Sequence, residues 1–323
     1  MTADEPKRLG FFLAPRFSMV PFITAVEPLR IANRLSNRRL YAWFLLTKDG
    51  QPVEASNGMA QIPDGSIATA GPFETVYVCG PYDPSGYADK EVFAWLRRLA
   101  RHGTKLGALC TGSYILARAG LLDGHRCTIH WENLQGFTEA FPDIDVSCEL
   151  FEIDRDRQTC SGGIAPMDLM LYLISIEHGH ELAVAVSEQL IHDRIRDAHD
   201  HQRMTLRGRL GVSHPRLLDA IAQMETSLEE PRSLSEIAAE VGISKRQLER
   251  LFRTYLGRSP ARYYAELRLR RARALLEQTS MSITDVGIAC GFVSASHFSR
   301  SYREYFGKSP RQSRLTTSPL GAA

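Results

Sequence analysis

Through the first 190 or so residues, short apolar runs (GFFLA, WFLL, TVYVCG, KLGALC) are interleaved with longer stretches of helical period (ITAVEPLRIANRL, EVFAWLRRLARH, GSYILARAGLL, MDLMLYLISIEHG). Strands alternating with amphipathic helices predict an α/β domain with a mainly parallel sheet. From IHDRIRDAHDHQRM onward the strand-like runs stop, and charged and histidine-rich residues take over. Everything further on has helical period, punctuated by turn signals at Val241-Gly242, Gly257, Cys290-Gly291 and Gly307. The pattern divides the chain into an α/β domain over residues 1–190, a linker over 191–212, an all-α domain over 213–316 and a tail over 317–323.

The second of these domains repeats itself. SLSEIAAEVGISKRQLERLFRTYLGRSP, from Ser233 to Pro260, returns in altered form as SITDVGIACGFVSASHFSRSYREYFGKSP, from Ser282 to Pro310, with one extra residue in the turn. Ile237 matches Val286, Gly242 matches Gly291, Leu248 matches Phe298, Phe252 matches Tyr302, and each copy ends on Ser-Pro. Ser233 with Glu236, Ser244 with Gln247 and Ser282 with Asp285 have the spacing of a helix cap that satisfies first-turn amides. A glycine after Val241 and after Cys290 suits the positive φ of a tight turn. Each copy is therefore a helix-turn-helix unit. Leu248, Leu251, Phe252 and Leu256 give the second helix of the first copy one apolar face. The remaining face offers Ser244, Lys245, Arg246, Gln247, Arg250 and Arg253 to double-stranded DNA, and the second copy offers Ser294, Ser296, His297, Arg300, Arg303 and Lys308. Between the copies, PARYYAELRLRRARALLEQT predicts a helix of about 18 residues, roughly 27 Å long. With half a unit added at either end it sets the two reading helices roughly 34 Å apart, one turn of DNA.

Charge agrees with this division. The net charge of +2 hides a surplus of nine positive charges in residues 201–323, where 20 Lys and Arg face 11 Asp and Glu, while the rest of the chain is acidic. A basic patch confined to one domain is the footprint of a nucleic-acid partner. Composition is otherwise that of a water-soluble globular protein: 44% hydrophobic, 24% charged, with no apolar run of membrane-spanning length and no signal-like N-terminus. A cytoplasmic protein without membrane contact is expected. Six cysteines without a CxxC pair argue against a structural zinc site and, in a reducing compartment, are expected as free thiols.

The helical domain resembles the DNA-binding domain of the AraC/XylS regulators over roughly residues 213–315, and CGFVSASHFSRSYREYFGKSPRQSR is close to that family's signature. The resemblance implies that the first copy supplies most base discrimination, while the second reads a weaker half-site or meets RNA polymerase.

In the α/β domain, KLGALCTGSYILARAGLLDG places Cys110 at a strand end, directly before a helix opened by Thr111, Gly112 and Ser113. At such an elbow, helix-start amides are expected to lower a thiol pKa and to hold an anion. His130 in TIHWEN is a candidate base, with Glu132 and Glu27 as candidate acids. Cys110 as a small buried side chain and His130 as a strand-end cap are the plain alternatives. The stretch from about residue 8 to 185 resembles the PfpI-type members of the class I glutamine-amidotransferase-like superfamily, on AVEPLRIANRL, ALCTGS, AGLLDG, HW and SGGIAPMDLMLYL. That resemblance implies a flavodoxin-like sheet.

A PfpI-like domain joined to an AraC-type domain resembles the GlxA subgroup, where the old catalytic pocket senses a small-molecule effector. Glu27, Cys110 and His130 are then ligand-binding rather than catalytic, with Thr111 and the rim residues Pro81, Tyr82 and Trp131. Where the family has a second glycine after TVYVCG, this chain has Pro81-Tyr82, which reshapes the rim. SGGIAPMDLMLYL, AVSEQLIHDRIRDAHDHQR and LLEQTSMSI are most similar to regulators of carnitine, glycine-betaine and dimethylglycine breakdown, and an arginine-responsive regulator shares much of the same text. The expectation is a homodimeric activator that needs no cofactor and no metal. Two other classes compete with it: a cysteine-dependent hydrolase or amidase with a DNA-binding tail, and a scaffold that never meets DNA.

Overall fold

A computed structural model describes residues 5–317, so most of the 317–323 tail lies outside the described residues. The chain separates into two units, one through Gln202 and one from Arg203.

The first unit is built on a seven-stranded sheet in the order Phe151–Asp154, Arg157–Cys160, Lys105–Leu109, Thr75–Cys79, Lys7–Leu13, Tyr41–Thr47, Gly65–Ser66. Only the edge pair Phe151–Asp154 and Arg157–Cys160 is antiparallel. Both faces of the central strands are buried, which is why Thr75–Cys79 and the later residues of Lys7–Leu13 read as apolar runs. Phe11 and Leu13 point toward a core shared with the helices Met19–Ser36 and Ala165–His178. Phe12 and Ala14 point the other way, onto Trp95, Leu96, Ile115 and Leu116 of the helices Lys90–Arg101 and Gly112–Arg118. Among the described residues, no helix is long and apolar enough to cross a membrane.

Residues 191–202, which the sequence assigns to the start of a linker, belong with the first unit. Ile195 and Ala198 pack on its core, and the Leu150 amide donates to Ala198 O at 2.9 Å. The anchor is Asp168, a fully buried carboxylate in the first turn of the helix Ala165–His178. Its Oδ1 accepts from the Arg196 amide at 2.8 Å and lies 3.0 Å from His192 Nε2, and its Oδ2 accepts from Arg196 Nε at 3.0 Å. At the far end of the segment, Gln202 Nε2 donates to Ile129 O at 3.0 Å and to Glu149 O at 2.9 Å.

The second unit holds two small cores, one per helix-turn-helix copy. Ile237, Leu248 and Phe252 centre the first, joined by Leu217, Ile221 and Met224 of the helix Pro215–Thr226. Val286, Phe298 and Tyr302 centre the second. The linking helix, Pro260–Gln278, opens on the Ser259 cap with Pro260 in its first turn. It supplies Tyr264 to one core and Leu269, Leu275 and Leu276 to the other, so both copies are built on one rod. The predicted caps form: Ser233 with Glu236 and Ser244 with Gln247 close reciprocal capping boxes, and Ser282 accepts from the Asp285 amide. Gly242 and Gly291 both take φ of 71°. At Gly291 a Cβ would also stand 2.4 Å from the Pro231 ring, so the second turn leaves no room for a side chain.

Candidate nucleic-acid interface and ligand pocket

The helices Lys245–Leu256 and Ala295–Phe306 carry every residue nominated for DNA except the caps and Lys308. Packing fixes which face is free. Leu248 and Phe252, and their counterparts Phe298 and Tyr302, are wholly buried, which turns Lys245, Arg246, Arg250 and Arg253 outward in the first copy and Ser296, His297, Arg300 and Arg303 outward in the second. Three nominees are occupied as caps. Ser244 Oγ accepts from the Gln247 amide at 3.2 Å, Gln247 Oε1 accepts from the Ser244 amide at 2.8 Å, and Ser294 Oγ accepts from the His297 amide at 3.4 Å. Gln247 keeps its amino group as a donor. Lys308 lies beyond the helix end at Gly307 and is half-buried.

Charge pairing separates readers from scaffold. Arg209 pairs with Glu225 at 2.9 Å, Arg273 with Glu277 at 2.7 Å, Arg232 with Glu240, and both Arg258 and Arg262 converge on the buried carboxylate of Glu266. Lys245, Arg246, Arg250 and Arg253 take part in no ion pair among the described residues; in the second copy Arg300 stands 4.0 Å from Glu304. The first copy therefore presents uncompensated positive charge to solvent at the helix whose N-terminal residues would meet base edges.

In the first unit, the strand Lys105–Leu109 delivers Cys110 into the left-handed region at φ 58°. A non-glycine residue there is strained and persists only where the surroundings hold it. The Cys110 amide donates to Cys160 O at 2.9 Å. Gly162 passes directly over the thiol: a Cβ at that position would stand 2.8 Å from Sγ. Burial pushes the thiol up to about 11, against hydrogen bonds from the Thr111 amide and the Ser18 hydroxyl, and Glu132 raises it further. The sequence expectation of a lowered pKa is thus corrected: desolvation outweighs the helix-start amide, and Cys110 is a neutral thiol at pH 7.

The other nominees differ in burial and in their partners. Thr111 Oγ1 donates to Pro81 O at 2.6 Å, and Pro81 bridges to Phe17, tying the rim to the chain just before Ser18. Tyr82 is 67% exposed and Trp131 40%, so both side chains meet solvent. His130 is half-buried, its Nδ1 3.8 Å from Glu132 Oε2 and its ring 5.6 Å from that of Trp131. Burial pushes the imidazole pKa down, which keeps it neutral at neutral pH. Among the described residues no hydrogen bond joins His130 to Cys110. Glu27 is held by Arg30 one turn along its own helix, at 2.6 Å, and the group that this helix turns on the thiol is its cap, Ser18. Nothing in the sequence singled Ser18 out, because a serine before a helix is explained by capping alone.

A cysteine elbow at the end of a mainly parallel sheet, on the same chain as two helix-turn-helix units with a basic face, defines a DNA-binding transcription regulator carrying a PfpI-like domain. Comparison with known proteins agrees. The DJ-1/PfpI family model matches residues 7–174 and a helix-turn-helix domain model matches 237–315. The transcriptional regulator GbdR of Pseudomonas aeruginosa is 52% identical over 317 residues, covering 98% of this chain and 86% of GbdR. CdhR of the same species, also a transcriptional regulator, is 47% identical over 312 residues, covering 97% of this chain and 92% of CdhR. A crystal structure of an AraC family transcriptional regulator from Pseudomonas putida is 32% identical with a TM-score of 0.53, and spans 57% of this chain and all of that one. The chain belongs to the GlxA-type AraC regulators, in which a DJ-1/PfpI domain precedes an AraC-type DNA-binding domain. The named relatives are regulators, although the PfpI domain also exists in enzymes.

The neutral thiol has a direct readout. Under limiting iodoacetamide at pH 8, Cys148, the only exposed cysteine among the described residues, is expected to be alkylated well before Cys110. Peptide mass spectrometry at successive times checks this, and faster labelling of Cys110 would show a thiolate there.

Proposed function

We propose that the first unit binds a small amine or betaine-type metabolite beside Cys110 and thereby controls transcription of catabolic genes, as an activator, from a DNA operator. Carnitine, glycine betaine and dimethylglycine are the favoured ligands. The observation that supports this reading best is the pairing of two exposed aromatic faces, Trp131 and Tyr82, with a thiol and an imidazole that are both uncharged at neutral pH. Such a site repels no cation, and each aromatic face that a quaternary ammonium reaches contributes about 0.5 to 2 kcal/mol. Glu132, beside His130, adds a carboxylate to the same rim. Homodimerisation through the first unit and contact with RNA polymerase complete the reading, as does a cytoplasmic location. Arginine is the second ligand to test, since its guanidinium also stacks on aromatic rings.

A hydrolase is less well supported, because it requires a thiolate and a base within hydrogen-bond reach. Calorimetric titration of the full chain with carnitine, glycine betaine, dimethylglycine and arginine is the test. One of the four is expected to bind, and Trp131→Ala to weaken it about 2- to 30-fold. Cys110→Ser is expected to leave regulation intact. Silence from all four ligands removes the proposal.

A further inference from the structure

The two helix-turn-helix copies differ by one residue in the turn, and the structure shows where the extra residue goes. In the first copy the turn runs Val241, Gly242, Ile243 to the Ser244 cap, and Ile243 packs half-buried against its own core. In the second it runs Cys290, Gly291, Phe292, Val293 to the Ser294 cap. Phe292 takes the inward seat at 5% exposure, its ring 5.2 Å from Phe298. Arg268 of the linking helix locks it there: the guanidinium lies 4.2 Å over the Phe292 ring, with Nε donating to Cys290 O at 2.7 Å and Nη2 to Gly291 O at 2.6 Å. The Cys290 and Gly291 carbonyls are thereby fixed, and Val293 is turned out. It is the most exposed large apolar side chain among the described residues, at 103%.

An isopropyl group wholly in water next to a reading-helix cap is not explained by folding. The neighbouring positions differ in the same sense. Where the first copy opens its reading helix with Lys245 and Arg246, the second opens with Ala295 and Ser296, also exposed. The first copy thus leads with charge, and the second with methyl groups flanking a small hydroxyl. In the major groove only thymine presents a methyl group on its edge, and apolar side chains are its natural partner. Residues at the N-terminus of a reading helix are those that reach base edges.

We propose that Val293, with Ala295 beside it, reads a thymine methyl group in the half-site bound by the second copy. The proposal rests on the helix Ala295–Phe306 being a DNA reader. Because Val293 packs against nothing, Val293→Ser should fold as the parent does, which a thermal melt verifies. The full chain is first used to select bound sequences from random duplexes. Each thymine of the enriched site is then replaced in turn by deoxyuridine, which removes only the methyl group. At one position in the second half-site the wild type is expected to lose about fourfold in affinity, the worth of one methyl group taken from water, while Val293→Ser binds both duplexes equally. If Val293→Ser still discriminates thymine from deoxyuridine there, or if no thymine of an enriched site matters to the wild type, the assignment to Val293 is overturned. If no sequence is enriched at all, the reader assignment beneath it fails as well.

Discussion

Arg246→Ala and Arg250→Ala, each made in the full chain, are expected to weaken binding to the operator duplex by about 1 to 3 kcal/mol where the side chain reaches a base, with unchanged thermal stability. A side chain that reaches only phosphate gives a different signature: weaker binding to all sequences alike and a salt slope reduced by about one. Fluorescence anisotropy at several salt concentrations separates the two. The size of the effect follows from the charge pairing. Arg246 and Arg250 have no carboxylate partner among the described residues, so DNA gains their full charge. Arg300 in the second copy stands near Glu304, and Arg300→Ala is expected to cost less. If both first-copy variants bind the operator like the parent, the helix Lys245–Leu256 is not the reader.

Asp168→Ala is expected to be the most destabilising single change in the first unit. The carboxylate is completely buried and is bonded by both the backbone and the guanidinium of Arg196 as well as approached by His192. Removing it leaves the half-buried Arg196 guanidinium and His192 ring, and the Arg196 amide, without their acceptor, a loss of about 3 kcal/mol. For a unit of this size that lowers the melting temperature by roughly 10 °C. Hydrogen exchange should localise the damage: amides of residues 191–202 are expected to lose protection ahead of the sheet. Asp168→Asn keeps two acceptor lone pairs and should cost less. Equal protection of 191–202 in the alanine variant would show that the segment is held by its apolar contacts alone.

The features readable in the sequence were the local ones. Caps three residues apart, a glycine at each turn and an apolar face on each second helix are decided within a few residues, so both helix-turn-helix units could be placed from the text. The elbow at Cys110 was legible for the same reason, as strand, turn and helix follow one another directly. Its chemistry was not legible. Whether a thiol is raised by burial or lowered by amides depends on what covers it, and the cover is Gly162, 52 residues away in the chain. Glu27 is visible as a carboxylate on the first helix, but its pairing with Arg30 one turn on depends on side-chain conformations that the sequence leaves open. The segment after Leu190 reads as linker because its residues are polar. Two of them, His192 and Arg196, answer Asp168, an acid in the apolar stretch MDLMLYLISI that points to a buried partner. The turn insertion before Ser294 was visible as a length difference, but not which of Phe292 and Val293 would go inward.

Gln202 fastens the end of the first unit to its own sheet. Its side-chain amide is fastened to the carbonyl of Ile129, the residue immediately before His130, and the next residue along, Arg203, already belongs to the helical unit. A shift of the backbone at His130 and Trp131 is therefore felt first at the closing residue of the α/β unit, whose amide is shared among Thr128, Ile129 and Glu149.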